Sequence, residues 1–194
     1  MPEPVLLIGD VVLTTSSHWL SRGIRWATRR RNEDPSRASH AAIVDDFMVP
    51  LPEVTIIEAG STGVRKGRMS QWYGADDMVS VWRPENMSIL EREEVVQVIR
   101  ARIGQGYPYL KLALHLIDEK LLGGKTRARK LKLIDSLVCS PLVGSGFHAK
   151  GRTFGKDDPL GLTPDDIEDF MIANPDKWSQ VRDWAPFPAP PKAP

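Results

Sequence analysis

The chain contains one cysteine, and the residues around it suit a nucleophile. Cys139 lies within Asp135-Ser-Leu-Val-Cys-Ser-Pro-Leu-Val143. Pro141 is compatible with the first turn of a helix, because a backbone N–H there has no intrahelical partner. We therefore predict that a helix begins at Cys139 or Ser140, where the positive end of its dipole favours thiolate over thiol. The alternative is a buried structural cysteine, which is the more common role of a single cysteine.

Two predicted strands carry a histidine and a carboxylate that could act as a base and its orienting group. His40 leads the apolar run at residues 40–44, and Glu58 lies near the end of the run at residues 54–60. Because side chains alternate along a strand, Glu58 falls on an apolar face, where a carboxylate is costly without a partner. If the strands pair, His40 can contact Glu58 and complete a nucleophile–base–orienter set. Taken singly, a core histidine and a solvent-facing edge glutamate are the simpler interpretations.

The other three histidines are weaker candidates for the base. His148 follows Cys139 by nine residues, about half a rotation around a shared helix. His18 adjoins a predicted helix start and His115 lies within a predicted amphipathic helix, so both are expected to be structural or exposed. A zinc site built from the cysteine, histidine and glutamate above has little support, because the chain lacks Cys-x-x-Cys and His-x-x-x-His pairs. We expect no metal and no cofactor.

Six short motifs follow one another in an order that a known family shares. They are Gly9-Asp10-Val-Val-Leu13, Ser39-His40, Ile57-Glu58-Ala59, Gly106-Tyr-Pro-Tyr109, Cys139-Ser140 and Leu162-Thr-Pro-Asp165. This order resembles the circularly permuted NlpC-type cysteine peptidases, the YiiX/YebB-like branch of the papain-like fold. The resemblance implies a papain-like α+β fold in which the histidine strand precedes the cysteine helix, with Cys139, His40 and Glu58 as the catalytic set. Pro141 departs from the pattern, because relatives often have an acidic residue there.

The resemblance implies thiol chemistry on an acyl group. The leading hypothesis is a cysteine hydrolase that cleaves an amide bond, in a peptidoglycan-type peptide, through an acyl-cysteine intermediate. Tyr109 and Tyr107 are candidate substrate-binding residues, although packing is the simpler role for one of them. Arg65, Lys66 and Arg68 follow the Glu58 strand and are predicted to lie near substrate carboxylates. The alternatives are an acyltransferase or lipid deacylase with the same Cys-His-Glu set, and a non-catalytic binding or structural module of the same fold.

Length and composition indicate the class of protein. With 194 residues, 41% apolar residues and 26% charged residues, the sequence predicts one globular domain. No segment reaches the roughly 18 apolar residues of a membrane span, and the first residues lack the features of a signal peptide. One cysteine excludes an internal disulfide and fits a reducing compartment. We therefore expect a cytoplasmic protein, or one released without a signal peptide, for example as a phage component.

The charge distribution argues against a nucleic-acid partner. The formal net charge is +1, which gives no overall attraction to a polyanion. Two basic runs, Arg29–Arg31 and residues 125–132, are expected to be solvated surface, and the alternative is a local anionic partner such as a cell-wall polymer, a phospholipid head group or nucleic acid. The expected partner is therefore a peptide or acyl substrate such as a cell-wall fragment.

Hydrophobic periodicity and helix caps predict an α+β domain with a small, mainly antiparallel sheet packed against helices. The domain is expected to cover residues 1–184, with residues 185–194 as a proline-rich, disordered tail. Besides the two strands above, the sequence predicts strands at Val11–Thr14, Gly63–Lys66 and Met78–Trp82. It predicts helices from Ser16 or Ser17 to about Thr28, after the capping box Ser88–Glu91, over Leu110–Leu122, and after Thr163.

Overall fold

A computed structural model describes residues 4–16, 37–51, 53–60, 63–105 and 139–188 of the chain. These residues form an α+β structure in which a mainly antiparallel sheet packs against helices, which confirms the predicted class. The helix predicted over Leu110–Leu122 lies outside the described residues, as does the helix predicted from Ser16 or Ser17, apart from Ser16 itself, which ends the strand Val11–Ser16. None of the helices in the described ranges is long and apolar enough to cross a membrane.

The described elements follow the predicted order closely. The strands are β1 (Val5–Leu6), β2 (Val11–Ser16), β3 (His40–Val44), β4 (Val49–Pro50), β5 (Thr55–Gly60), β6 (Gly63–Arg68), β7 (Asp77–Pro84) and β8 (Trp178–Pro186). The helices are α1 (Ile89–Arg100), α2 (residues 139–148 of the described chain) and α3 (Pro164–Ala173). Short 3₁₀ turns cover Met69–Gln71 and Pro159–Gly161. Strands β1 and β4 form a separate two-stranded sheet.

The main sheet has two apolar faces because side chains alternate along each strand. Its strand order is β6-β5-β3-β2-β7-β8, and every neighbouring pair is antiparallel. One face packs against the helices and carries Val11, Leu13, Ala41, Ile43 and Ile57. The opposite face carries Val12, Ala42, Val44, Ile56 and Val79. The alternation places His40 and Glu58 in phase with the second set, as predicted.

The predicted capping box at Ser88 and the predicted helix start after Thr163 are both confirmed, and the second is also a capping box. The Ser88 hydroxyl accepts the Glu91 N–H at 3.2 Å, and the Glu91 carboxylate accepts the Ser88 N–H at 2.7 Å, which fixes the start of α1. Thr163 and Asp166 make the same exchange at 3.1 and 2.8 Å, which fixes the start of α3. Local side-chain chemistry therefore determines where both helices begin.

Helix α2 carries the single cysteine into the helical layer. Cys139, Leu142, Val143 and Phe147 are all buried, and their spacing forms one apolar stripe that faces the sheet. Gly146 lets α2 approach α1, because a Cβ at this position would lie only 2.6 Å from the Ile99 side chain. Residue 138 lies outside the described residues, so the helix start predicted at Cys139 stays a prediction.

The C-terminal boundary predicted at residue 185 is wrong. Strand β8 continues to Pro186, and the Phe187 side chain is 1% exposed in the apolar layer below the sheet. The Phe187 N–H donates to the Asp77 carbonyl at 2.7 Å, so the chain stays paired with β7. Proline tolerates this position because β8 is the edge strand of the sheet. Residues 189–194 lie outside the described part.

Phe187 is therefore expected to contribute to folding. Phe187→Ala should lower the free energy of unfolding by about 3–5 kcal/mol, because the change removes a buried ring and leaves a cavity. The matched control is Ile172→Ala on α3, where the side chain is 59% exposed and the change should be within about 0.5 kcal/mol. Denaturant unfolding of both variants measures the difference, and equal stabilities would show that Phe187 lies outside the core.

Candidate active site

The sulfur of Cys139 lies at the first residues of β3. The Ala41 N–H donates to Cys139 Sγ at 3.4 Å, across 98 positions in the sequence. The pairing of β3 with β5 covers Ala42 to Val44. The Ala41 N–H therefore lies just before the stretch of β3 that pairs with β5, where it donates to the sulfur. The Ser140 hydroxyl oxygen lies 3.8 Å from the same sulfur. Cys139 is fully buried, and its sulfur is a thiol rather than part of a disulfide.

His40 lies between Cys139 and Glu58 and contacts both. Its Nε2 is 3.0 Å from Glu58 Oε2, and its ring also hydrogen-bonds the cysteine side chain. Because Nε2 is engaged by the carboxylate, Nδ1 is the ring nitrogen left to face sulfur. Antiparallel pairing of β3 with β5 aligns Ala42 with Glu58, so His40 and Glu58 are diagonal neighbours on one face. The His40 side chain is 17% exposed, so the imidazole is in contact with solvent while the Glu58 carboxylate is buried.

The Glu58 carboxylate has a donor on each oxygen. Arg65 is paired directly opposite Glu58 across β5 and β6, and its Nε donates to Oε1 at 2.8 Å while Nη2 bonds the same oxygen. The Tyr73 hydroxyl donates to Oε2 at 2.5 Å, beside the contact with His40. A side-chain interaction with Thr14 partly offsets the rise in the Tyr73 pKa. Glu58 is 1% exposed, and these donors replace the water that it loses.

The charges of these groups stabilise one another. Burial opposes ionisation of Glu58. The charge and hydrogen bond of His40, together with the hydrogen bonds from Tyr73 and Arg65, nevertheless lower the pKa of Glu58 from 4.5 to about 2. Burial also disfavours the imidazolium, yet the Cys139 and Glu58 charges and hydrogen bonds raise the pKa of His40 well above 6.5. Loss of solvent and the Glu58 charge raise the pKa of Tyr73 well above 10, so its hydroxyl remains a donor.

The pKa of Cys139 moves in the opposite direction from that of His40. Burial opposes the thiolate, but the charge and hydrogen bond of His40, together with donors from Ala41 and Ser140, lower the thiol pKa. A lowered thiol pKa and a raised imidazole pKa both favour a thiolate beside a protonated imidazole. A thiolate–imidazolium pair is the reactive form of a cysteine nucleophile.

The other predicted site residues have different outcomes. Tyr107 and Tyr109 lie outside the described residues, so their substrate-binding role stays a prediction. The three basic residues predicted to face substrate are each paired with a carboxylate of the chain instead. Arg65 binds Glu58, as above. Lys66 Nζ is 2.5 Å from Asp45 Oδ2, and Arg68 Nη1 is 3.1 Å from Glu53 Oε2. Within the described ranges, no group of three or more His, Cys, Asp or Glu side chains could hold a metal ion.

Two contributors to the site were missed by the sequence analysis. The role of Arg65 was predictable in principle, because a hairpin that pairs Gly60 with Gly63 sets Arg65 opposite Glu58. Tyr73 had no local signal, since it reaches Glu58 only after the 3₁₀ turn at Met69–Gln71 folds the chain back over the sheet.

Comparison of the chain with protein-family models, curated proteins and solved structures finds no match.

The lowered thiol pKa predicts the titration of Cys139. Thiolate absorbance near 240 nm, taken as the difference between the native chain and Cys139→Ala, reports this group alone, because the chain has one cysteine. The midpoint should lie below about 8.5, the value for a free thiol, and thiolate should be lost as the pH falls through that midpoint. His40→Ala should raise the midpoint, since it removes the positive charge that opposes the effect of burial. A midpoint at or above 8.5 in the native chain would identify a structural thiol.

Proposed function

We propose that the protein is a cysteine hydrolase that cleaves an amide bond through an acyl-cysteine intermediate. The observation that carries this proposal is the position of His40, which contacts the Cys139 thiol and the buried Glu58 carboxylate at once. Singly, each residue has a structural explanation. A buried carboxylate that orients an imidazole toward the only thiol of the chain is the arrangement that nucleophilic catalysis requires. The circularly permuted papain-like fold is part of the same proposal.

The proposed reaction has two steps with one proton carrier. The Cys139 thiolate attacks the carbonyl carbon, the C–N bond breaks, and the His40 imidazolium gives its proton to the departing amine. Neutral His40 then takes a proton from water as the water oxygen attacks the acyl-cysteine. Cleavage of the C–S bond releases the carboxylic acid and restores the thiolate and imidazolium. Glu58 accepts a hydrogen bond from the Nε2–H throughout, remains ionised, and keeps the imidazole in one orientation.

The oxyanion formed in each attack needs donors near the sulfur. The Cys139 backbone N–H is the donor predicted from the sequence, on the expectation that a helix begins there. That role remains a prediction, because the preceding residue lies outside the described chain.

A peptidoglycan-type peptide is the proposed substrate, and it depends on the family resemblance. One physical reason for this substrate has weakened, because Arg65, Lys66 and Arg68 are all engaged by carboxylates of the chain itself. An acyltransferase or a lipid deacylase would use the same acyl-cysteine and differ in the acceptor or the acyl group. The substrate experiment must therefore compare acyl classes directly.

Roles within the catalytic set are separable by substitution. His40→Ala should reduce turnover by about 10²- to 10⁴-fold, because it removes the proton carrier. Glu58→Gln retains size and some hydrogen bonding, so it should leave more residual activity than His40→Ala. His148→Ala is the matched control, since His148 is exposed on α2. If His148→Ala, His18→Ala or His115→Ala proved as damaging as His40→Ala in a folded protein, the base would be misassigned.

Substrate class is testable by mass spectrometry of the protein incubated separately with muropeptides and with lipid esters. The proposal predicts new amine and acid termini in the muropeptide, abolished by Cys139→Ala. Cys139-dependent release of fatty acid with intact muropeptides would assign the protein to lipid deacylation. An acylated acceptor in place of free acid would indicate a transferase, and no change with any substrate would favour a binding module.

A further inference from the structure

The Arg65 guanidinium has two partners on different elements. Its Nε and Nη2 both donate to Glu58 Oε1. Its central carbon, Cζ, lies 4.1 Å from the centre of the Trp72 ring. Stacking on an aromatic ring holds a guanidinium in one plane, and a two-nitrogen contact needs that plane to match the carboxylate. Arg65 is 42% exposed along its side chain, so the strand alone does not confine it. Trp72 supplies the second restraint.

Strand β6 has room for the Trp72 ring because position 67 is a glycine. Gly67 lies two residues after Arg65 on the same face of β6, and a Cβ there would lie 2.7 Å from the Trp72 ring. The 3₁₀ turn at Met69–Gln71, closed by the Trp72 N–H donating to the Met69 carbonyl at 2.9 Å, returns the chain over β6. A side chain at position 67 would push the ring away from the guanidinium.

The groups that face Glu58 come from three segments of the chain. His40 on β3 and Arg65 on β6 carry the charges that contact it, and Tyr73, after the 3₁₀ turn, donates a neutral hydroxyl. Cys139 on α2 interacts with Glu58 through His40. Trp72 carries no charge, so a change at Trp72 alters the titration of this set by moving one of its members or by changing how far they are exposed to solvent.

We infer that Trp72 and Arg65 form a positioning pair that holds Glu58 Oε1 and thereby keeps Oε2, which also accepts the Tyr73 hydroxyl, directed toward His40. This inference rests on the proposed function, in which His40 must face the thiol. With Oε1 held, rotation of the carboxylate is restricted and the Nε2 contact keeps its direction. With Arg65 released from Trp72, the carboxylate turns and the imidazolium loses its fixed acceptor. The thiolate is then stabilised less, because its partner charge is less well held.

The test measures the thiolate midpoint of Trp72→Leu by absorbance near 240 nm, with each variant compared with its own Cys139→Ala form. We expect the midpoint to rise by about half a pH unit, the size that loss of a partly exposed cation–π contact implies. Gly67→Ala should produce a shift in the same direction, because its Cβ displaces the ring while the charges and Trp72 itself are retained. Trp72→Phe keeps an aromatic face beside Arg65, so its thiolate midpoint should lie close to that of the native chain.

Arg68→Gln is the matched control, since Arg68 lies on the same strand and pairs with exposed Glu53 away from the site. Its midpoint should equal that of the native chain. If Trp72→Leu and Gly67→Ala keep the native fold by circular dichroism and the native midpoint, the positioning role is overturned. A native chain whose own midpoint is that of an ordinary thiol would overturn the proposed function instead, so the two failures are distinguishable.

Discussion

The structure of the site depends on keeping the Glu58 carboxylate charged at a buried position. Its pKa of about 2 is reached only because donors from three other segments offset the loss of water. This requirement links the register of β5 with β3 and β6 to the 3₁₀ turn that delivers Tyr73. The same requirement explains why a basic residue is found directly opposite Glu58 on the neighbouring strand. Removing any one donor would leave a buried charge with fewer partners, so the fold and the imidazole contact are coupled.

The two layers of the molecule have separate parts in the site. The sheet supplies His40 and Glu58 on one face. Helix α2 brings Cys139 from the helical layer to the first residues of β3. Gly146 allows α2 to pack closely on α1, which fixes the helix that carries the thiol. Phe187, which directly follows β8, lies on the face of the sheet opposite the helices, and its ring centre is 6.3 Å from that of Tyr73. The edge strand β8 therefore supports the residue that donates to Glu58.

Strand alternation and helix capping made much of this arrangement predictable. The period of two placed His40 and Glu58 on one face, and the Ser88 and Thr163 caps fixed two helix starts, because these signals are local. The end of the domain was not predictable in this way: proline content masked an edge strand whose Phe187 is held by tertiary packing. Arg65 was identified as a relevant cation but assigned to substrate, because its true partner depends on strand register. Trp72 and Tyr73 approach the site only through a turn in the backbone, which sequence periodicity does not report.

The central claim is that Cys139 and His40 form one ionised pair with Glu58 behind it. The most direct measurement is nuclear magnetic resonance of the His40 imidazole nitrogens across pH, in the native chain and in Cys139→Ala. We expect an imidazolium that persists well above pH 6.5 in the native chain, because the thiolate and Glu58 charges both favour it. Loss of the thiolate in Cys139→Ala should lower the pKa of His40. An imidazole that titrates at or below 6.5 in both proteins would contradict the ion pair and the mechanism built on it.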